Sequence, residues 1–336
     1  MYSFFLIYLF FNLIFFFYYK PISKLYNLYD YPDNNRKLQK YPIPLLGGLF
    51  FIINLSIIFI LNLFLKFTEN NLVIFFDNQI SFFLISYSFY FLGYYDDKYH
   101  IKANVKLFIM ISFIFIALLL DKNLLLTDLK FTFYSSYFSL GNYSFPITIL
   151  CFLLFINAFN MLDGLNGQAV TYAIFIFTIF IFKGVLANLS ILLILTSMFF
   201  LYLNFKNRTY LGDSGSLILG FILSYLFLKS YNLNNSFKAD EIFLIMCIPG
   251  YELLRLAIKR IIQKKHPFTA DSNHIHHLMI RNYNFIKSYF IIQLLLIAPY
   301  IANLILKKFY TSLVFSLLIY CLLIYYFSKK NEEKNF

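Results

Sequence analysis

Long apolar stretches alternate with short polar segments along almost the whole chain. A transmembrane helix needs about 20 mostly apolar residues, and eleven stretches approach that length. These predicted spans cover residues 3–19, 45–65, 74–94, 105–120, 146–160, 169–183, 186–204, 215–229, 241–258, 287–306 and 309–327. Two connections are so short that counts of ten to twelve spans all fit. We therefore expect an all-α integral membrane protein, a polytopic bundle of about 10–11 transmembrane helices in a single domain, 1–336.

Composition supports this interpretation. The chain is 60% hydrophobic and 13% charged, whereas a soluble domain carries roughly 25% charged residues. Too few polar groups remain to cover a water-exposed globule, so the lipid bilayer is the natural solvent for this surface. Cys151, Cys247 and Cys321 lie far apart in apolar stretches and have neither metal-site spacing nor a disulfide pattern. The apolar N-terminus lacks a basic segment and a cleavage site, which predicts a retained first span.

The basic residues predict an orientation. The formal net charge is +12, and most Lys and Arg residues fall in alternate gaps between the predicted spans. The positive-inside rule places those gaps in the cytoplasm and the N-terminus outside. The positive charge is thus explained by cytoplasmic loops, and we expect no nucleic-acid partner.

Five unusual polar segments fall in that same set of gaps. They are residues 36–48, 93–106, 157–168, 210–220 and 249–277. Their assignment to one face used hydropathy alone, so their coincidence favours a shared site at the cytoplasmic membrane boundary.

Acidic and amide side chains end the third and fifth predicted spans. Asp96 and Asp97 repel each other unless a cation or a hydrogen-bonding substrate neutralises them; a solvated helix end is the alternative. Asn157, Asn160 and Asp163 recur every three residues and would share an arc of about 120° on a helix. Such a polar face is costly in lipid unless it meets protein, water or a ligand, although a capped helix end remains an alternative.

The segment 211–216 precedes the eighth predicted span. A helix start offers free backbone N–H groups and the positive end of the helix dipole, which suits phosphate. Asp213 is suited to hold Mg²⁺ through oxygen. Ordinary capping of the helix by Asp or Ser is the alternative.

Four of the five histidines lie between positions 266 and 277, after a basic stretch that includes Arg255 and Arg260. Phosphate or nucleotide binding by His and Arg fits this pattern. A zinc site and a solvated loop remain alternatives. The basic segment 36–48 ends in Pro and Gly residues, which favours either an ordered turn or a patch attracted to anionic lipid.

Taken together, and in this order, the five segments resemble the polyprenyl-phosphate N-acetylhexosamine-1-phosphate transferases, which form glycosyltransferase family 4. His274, His276 and His277, with Pro267 and Phe268 before them, look like the branch that starts O-antigen, enterobacterial common antigen or teichoic-acid synthesis. They look less like the peptidoglycan-precursor branch, which tends to have three consecutive histidines.

The resemblance implies a reaction and its partners. A UDP-N-acetylhexosamine, with GlcNAc as the default sugar, would meet undecaprenyl phosphate at the inner leaflet of a bacterial plasma membrane. The lipid phosphate would attack the sugar-linked phosphorus, and UMP would leave. Mg²⁺, with Mn²⁺ as an alternative, would be the cofactor, and a homodimer is compatible with the family.

The resemblance also implies residue roles. Asp213 and Asn160 would bind the metal, and Asp96, Asp97 and Asp163 would be catalytic. The substrate-binding side chains would be Asn157, Lys37, Lys106, Arg260, His274, His276 and His277. Gln39, Asn166, Gln168 and Ser272 depart from the residues common in the family, without removing these groups.

Two other functions remain as alternatives. One is the peptidoglycan phospho-MurNAc-pentapeptide transferase of the same family. The other is a membrane transporter, whose ionisable residues should lie mid-bilayer in broken helices. Pro249 and Gly250 are expected to interrupt the ninth span, which is the one feature that favours the transporter; the spans are otherwise nearly free of charge.

Overall fold

The computed structural model describes residues 2–32, 39, 41–68, 79–265 and 273–333. It is 78% helical. Its helices are α1 (Tyr2–Tyr26), α2 (Gly47–Thr68), α3 (Gln79–Tyr99), α4 (Ala103–Leu120), α5 (Ser144–Asn160), α6 (Gln168–Phe182), α7 (Ala187–Phe205), α8 (Gly212–Asn234), α9 (Ala239–Ile262), α10 (Ile275–Ile280), α11 (Phe285–Leu306) and α12 (Phe309–Glu333).

Each of the eleven predicted spans overlaps one of these helices, although residues 74–78 of the third span lie outside the described residues. The short α10 has no predicted counterpart. Seven helices of the described part of the chain are long and apolar enough to cross a membrane, judged by length and composition. Two shorter apolar helices, Gly47–Leu63 and Gln168–Phe182, accompany them. The expectation of an all-α polytopic membrane protein is confirmed.

Helix α8 lies at the centre of the bundle. In the most apolar part of α8, 89% of the residues are buried inside the protein, whereas the corresponding share for α1 is 17%. Aromatic side chains hold neighbouring helices to it: the Phe221 ring stacks on Phe89 of α3 at 4.8 Å and on Phe152 of α5 at 6.1 Å between ring centroids. A helix that is apolar all round belongs in an interior, and α8 is surrounded by α2, α3 and α5.

Two small antiparallel sheets complete the fold. Strand β1 (Tyr29–Asp30) pairs with β2 (Ile43–Pro44), and β3 (Asp128–Phe131) pairs with β4 (Tyr134–Ser139). The β3–β4 hairpin joins α4 to α5 and contacts the C-terminal end of α8, where the Lys130 N–H donates to the Tyr231 hydroxyl at 2.7 Å. It was not predicted, because all six residues of β4 are exposed and give no buried alternation.

The expected interruption of the ninth span was wrong. Helix α9 continues from Ala239 to Ile262 through Pro249. A proline in a helix removes one backbone hydrogen bond and crowds the preceding turn, and here the helix continues past it. The feature that favoured a transporter is therefore absent from α9.

A buried ion pair lies at the hairpin end of α8. The Lys229 ammonium lies 2.5 Å from the Asp121 carboxylate, and these side chains are 2% and 0% exposed. The Tyr225 hydroxyl donates to the same carboxylate at 2.6 Å. Removing one partner of a buried pair leaves an uncompensated charge, which costs about 3–5 kcal/mol.

We therefore predict that Lys229→Met lowers the thermal stability of the detergent-purified protein. The double variant Lys229→Met with Asp121→Asn should recover most of the loss, because no isolated charge remains. Thermal unfolding followed by intrinsic fluorescence measures both. Equal losses in the single and double variants would contradict a coupled pair.

Candidate functional site

The described part of segment 36–48 meets segment 210–220 at one end of the bundle. Leu45 forms a parallel bridge with Tyr210. The Tyr210 N–H donates to the Pro44 carbonyl at 2.9 Å, and the Gly47 N–H donates to the Tyr210 carbonyl at 3.2 Å. The turn after β2 is thus fixed to the start of α8, and the ordered-turn interpretation holds for residues 43–47.

Asp97, in the last turn of α3, binds the start of α8. Its carboxylate accepts hydrogen bonds from the backbone N–H groups of Asp213 at 2.8 Å and of Ser214 at 3.0 Å. Gly212 has φ +71°, and a Cβ there would lie 2.8 Å from an Asp97 oxygen. The helix start attracts a carboxylate because its N–H groups lack partners and carry partial positive charge. Two of the N–H groups expected to face phosphate are therefore occupied by Asp97.

Lys106 connects two further carboxylates. Its ammonium lies 2.6 Å from Asp96 and 3.2 Å from Asp213. The Ile101 N–H donates to the other Asp96 oxygen at 2.8 Å. Asp96 and Asp213 also lie within hydrogen-bonding reach of each other. Lys106 was predicted to contact phosphate; here it neutralises part of an acidic cluster.

The end of α5 completes this cluster. The side-chain amide oxygen of Asn160 accepts a hydrogen bond from the Ser216 hydroxyl, and the same side chain also reaches Asp213. Burial, then the charges of Asp213 and Asp97, raise the pKa of Asp163 to about 8, although a hydrogen bond from the Gly212 backbone opposes the shift. We call Asp96, Asp97, Asp163 and Asp213 the acidic pocket.

Asn157 is oriented differently from the other polar residues of α5. Its side-chain amide donates to the Leu153 carbonyl of its own helix at 2.8 Å. A predicted contact between Asn157 and nucleotide would require this amide to turn away from the helix, or its oxygen to serve as the acceptor.

His276 lies beside the acidic pocket. Its ring packs on Gly164, so that a Cβ at position 164 would lie 2.1 Å from the ring. The centroid of the His276 ring lies 4.3 Å from that of His277 and 5.2 Å from that of His274. Burial, followed by the charges of His277 and His274, lowers the pKa of His276 well below its usual range. A neutral imidazole, which both donates and accepts hydrogen bonds, therefore lies next to the Asp163 loop.

Two further residues predicted to bind substrate are Arg260 and Lys37. Arg260 lies near the end of α9 and is 7% exposed. Lys37 lies outside the described residues, as do Pro267, Phe268 and Ser272. Gln39, which departs from the family pattern, donates to Asp30 at 2.5 Å.

Glu252 of α9 was missed as a site residue. Its carboxylate accepts from the Ile275 N–H at 2.8 Å, at the start of the helix that contains His276. The i,i+3 spacing of Glu252 and Arg255 by itself indicates only an ion pair on one face of a helix. An acidic residue inside an apolar stretch, shortly before the histidines, was the available signal.

The donor set fits a divalent cation held jointly with phosphate. Mg²⁺ prefers oxygen ligands and is usually bound through one or two carboxylates plus substrate phosphates. Asp213, Asp96 and Asn160 supply such oxygens together. In the part of the chain that the structure describes, no group of three or more His, Cys, Asp or Glu residues forms a metal cage. Burial is the main cause of the raised pKa of Asp163, and the negative charges of Asp213 and Asp97 add to it.

Fold and site together define a class: a polytopic helical membrane protein with an acidic pocket and histidines at one end of its bundle. Residues 79–231 match the family model described as glycosyl transferase family 4. This match contains Asp96, Asp97, Asp163 and Asp213, and over these residues the chain is similar to that family.

Relatives extend the similarity beyond this match. A probable undecaprenyl-phosphate N-acetylglucosaminyl 1-phosphate transferase of Bacillus subtilis is 31% identical over 202 residues, which is 56% of this chain and 54% of the relative. The undecaprenyl-phosphate alpha-N-acetylglucosaminyl 1-phosphate transferase of Escherichia coli O157:H7 is 26% identical over 284 residues, 81% of this chain and 74% of the relative. The same enzyme of Yersinia pestis is 26% identical over 203 residues, 57% and 55% of the two chains. The chain thus spans about half the length of two of these relatives and about three quarters of the third.

The electrostatics of the acidic pocket predict the effect of Asp163→Asn. The pKa of Asp163 is raised from 3.8 to about 8, so the folded state binds this proton more tightly than the unfolded state does. The ionised carboxylate therefore lowers the free energy of unfolding, and this loss grows as pH rises through that range. Without divalent cation, the variant should melt roughly 2–4 °C above the wild type at pH 8.5, and the difference should shrink towards pH 4.

Melting curves in excess chelator provide the measurement. Added Mg²⁺ should reduce or reverse the difference, because a bound cation favours the charged carboxylate. A wild-type protein as stable as the variant at pH 8.5 in chelator would contradict the raised pKa of Asp163.

Proposed function

We propose that this protein transfers a sugar-1-phosphate from a UDP-sugar to undecaprenyl phosphate and releases UMP. The sugar is an N-acetylhexosamine, with GlcNAc as the default, and the product starts a cell-envelope polysaccharide. The observation that carries the proposal is the acidic pocket, with Lys106 within it and His276 beside it, at the ends of membrane helices. The names of the relatives support the same activity.

The reaction exchanges one phosphoanhydride for another. An oxygen of the lipid phosphate forms a bond to the sugar-linked phosphorus, and the bond from that phosphorus to the oxygen of UMP breaks. Phosphoryl transfer depends on positioning and on stabilising the charge that spreads over phosphate oxygens. A pocket of mixed charge at a membrane boundary admits both a soluble nucleotide and a lipid phosphate.

Mg²⁺, or Mn²⁺ in its place, is the proposed cofactor. Asp213 and Asn160 would hold it, and bound metal supplies neutralisation of phosphate oxygens. Lys106 contributes a fixed positive charge between Asp96 and Asp213. We expect Lys106 to contact phosphate once the negative charge beside it is shared with a cation.

The remaining carboxylates have different proposed roles. Asp97 is bound to two N–H groups of α8 and therefore orients Asp213. Asp163, with a pKa near 8, is suited to hold or accept a proton at neutral pH. Neutral His276 is suited to donate a hydrogen bond to the sugar-phosphate part of the donor.

The proposed location is the inner membrane of a bacterium, with the acidic pocket on the cytoplasmic face. The bias of basic residues supports this orientation, and UDP-sugars are soluble donors. A homodimer stays a prediction. The peptidoglycan branch is the less favoured alternative, because Ile275 interrupts the histidine run and the three compared relatives carry GlcNAc transferase names.

Membranes that contain the protein should release UMP from UDP-GlcNAc when Mg²⁺ and undecaprenyl phosphate are present. Asp213→Asn should lower this rate by about a hundredfold or more, because it removes charge stabilisation at the reacting phosphate. Excess chelator should stop turnover, and Mn²⁺ should restore it. UMP release and lipid-linked sugar are both measured.

Asp128→Asn is the matched control, because Asp128 lies on β3 at the far end of the bundle and should leave the rate unchanged. Full activity of Asp213→Asn, or turnover that persists in excess chelator, would contradict the assignment. A panel of UDP-sugars in the same assay would identify the donor.

A further inference from the structure

Glu252 connects α9 to the histidine-bearing helix. Its side chain is 5% exposed, and one carboxylate oxygen accepts from the Ile275 N–H at 2.8 Å. The Arg255 guanidinium donates to both Glu252 oxygens, at 2.8 and 3.0 Å. Hydrogen bonds to buried charged groups are about twice as strong as neutral ones, so these contacts constrain the chain strongly.

Tyr320 of α12 joins the same network. Its hydroxyl donates to Glu252 and accepts from the Arg255 Nε at 3.0 Å. Arg255 also donates to the Asn273 carbonyl at 2.8 Å. Three parts of the molecule therefore meet here: α9, α12 and the segment that enters α10. We call Glu252, Arg255 and Tyr320 the Glu252 network.

Helix α10 depends on such external contacts. It has six residues, far fewer than the 12–15 or so that an isolated helix needs for even marginal stability. Its first N–H group is satisfied by Glu252 in place of a side chain of its own. His276 follows Ile275 directly, and its ring packs on Gly164 beside the acidic pocket. Glu252 and His276 also line one small cavity of about 20 Å³.

We propose that the Glu252 network fixes α10 so that His276 is held against the Asp163 loop. This inference rests on the proposed function for its effect on rate. The network residues act through α10 and are positioning residues. A displacement of about 1 Å at a reacting group costs up to about a hundredfold in rate, so loosening α10 should lower kcat more than it raises KM.

The structural part of the proposal is tested without substrate. Hydrogen–deuterium exchange of the purified full chain reports on the amides of residues 273–280. Tyr320→Phe should speed exchange of this segment about fivefold, which corresponds to one lost neutral hydrogen bond, and Glu252→Gln about tenfold or more. Tyr325→Phe is the matched control: it is the same substitution on α12, on an outward-facing side chain that is 68% exposed, and should change nothing.

Unchanged exchange in Glu252→Gln, or equal acceleration in Tyr325→Phe, would overturn the structural part. Tyr320→Phe also guards against a Glu252 variant that fails to fold, because it keeps the ion pair. Its exchange in α3 and α8 should match the wild type, and acceleration throughout the protein would overturn a local role.

Kinetics of the same variants test the effect on rate. Tyr320→Phe should lower kcat about fivefold with KM for the UDP-sugar changed less than twofold, and Tyr325→Phe should match the wild type. A rise in KM at constant kcat would overturn positioning of His276. No turnover in any variant or in the wild type would refute the proposed function, while the exchange data would still decide the structural part.

Discussion

Four carboxylates gather around the start of one buried helix, and the structure of the site depends on how their charge is compensated. In a protein interior, unpaired charges interact far more strongly than in water. Asp97 is compensated by two N–H groups of α8, and Lys106 serves Asp96 and Asp213 together. Burial, followed by the charges of Asp213 and Asp97, raises the pKa of Asp163. In the proposed function, a divalent cation and substrate phosphates supply the complementary charge.

The central position of α8 explains why residues from distant parts of the chain meet. Because α8 packs against α2, α3 and α5, its first turn lies where the ends of α3 and α5 come together. Close approach is allowed by glycine at Gly93, which packs on Ser214, and at Gly212, which faces Asp97. At this end of the bundle, polar side chains of these apolar helices can meet water and a soluble donor.

The sequence predicted the helices and the site residues for physical reasons. The bilayer sets the length of a span, so each of the eleven apolar stretches overlaps a helix of the structure. Polar residues at span ends are costly in lipid, so Asp96, Asp163 and Asp213 were predicted as site residues, and the structure brings them together. Their partners could not be predicted, because the contact of Asp97 with Ser214 and that of Glu252 with Ile275 depend on tertiary packing across many residues. Continuity of α9 through Pro249 likewise depends on its surroundings.

The central claim is that the acidic pocket holds a divalent ion in contact with substrate phosphate. Electron–nuclear double resonance of the Mn²⁺-loaded protein tests it most directly. The account predicts one bound Mn²⁺ per chain and a ³¹P hyperfine coupling that appears when UDP-GlcNAc is added. The absence of saturable Mn²⁺ binding, or bound Mn²⁺ without ³¹P coupling, would contradict it.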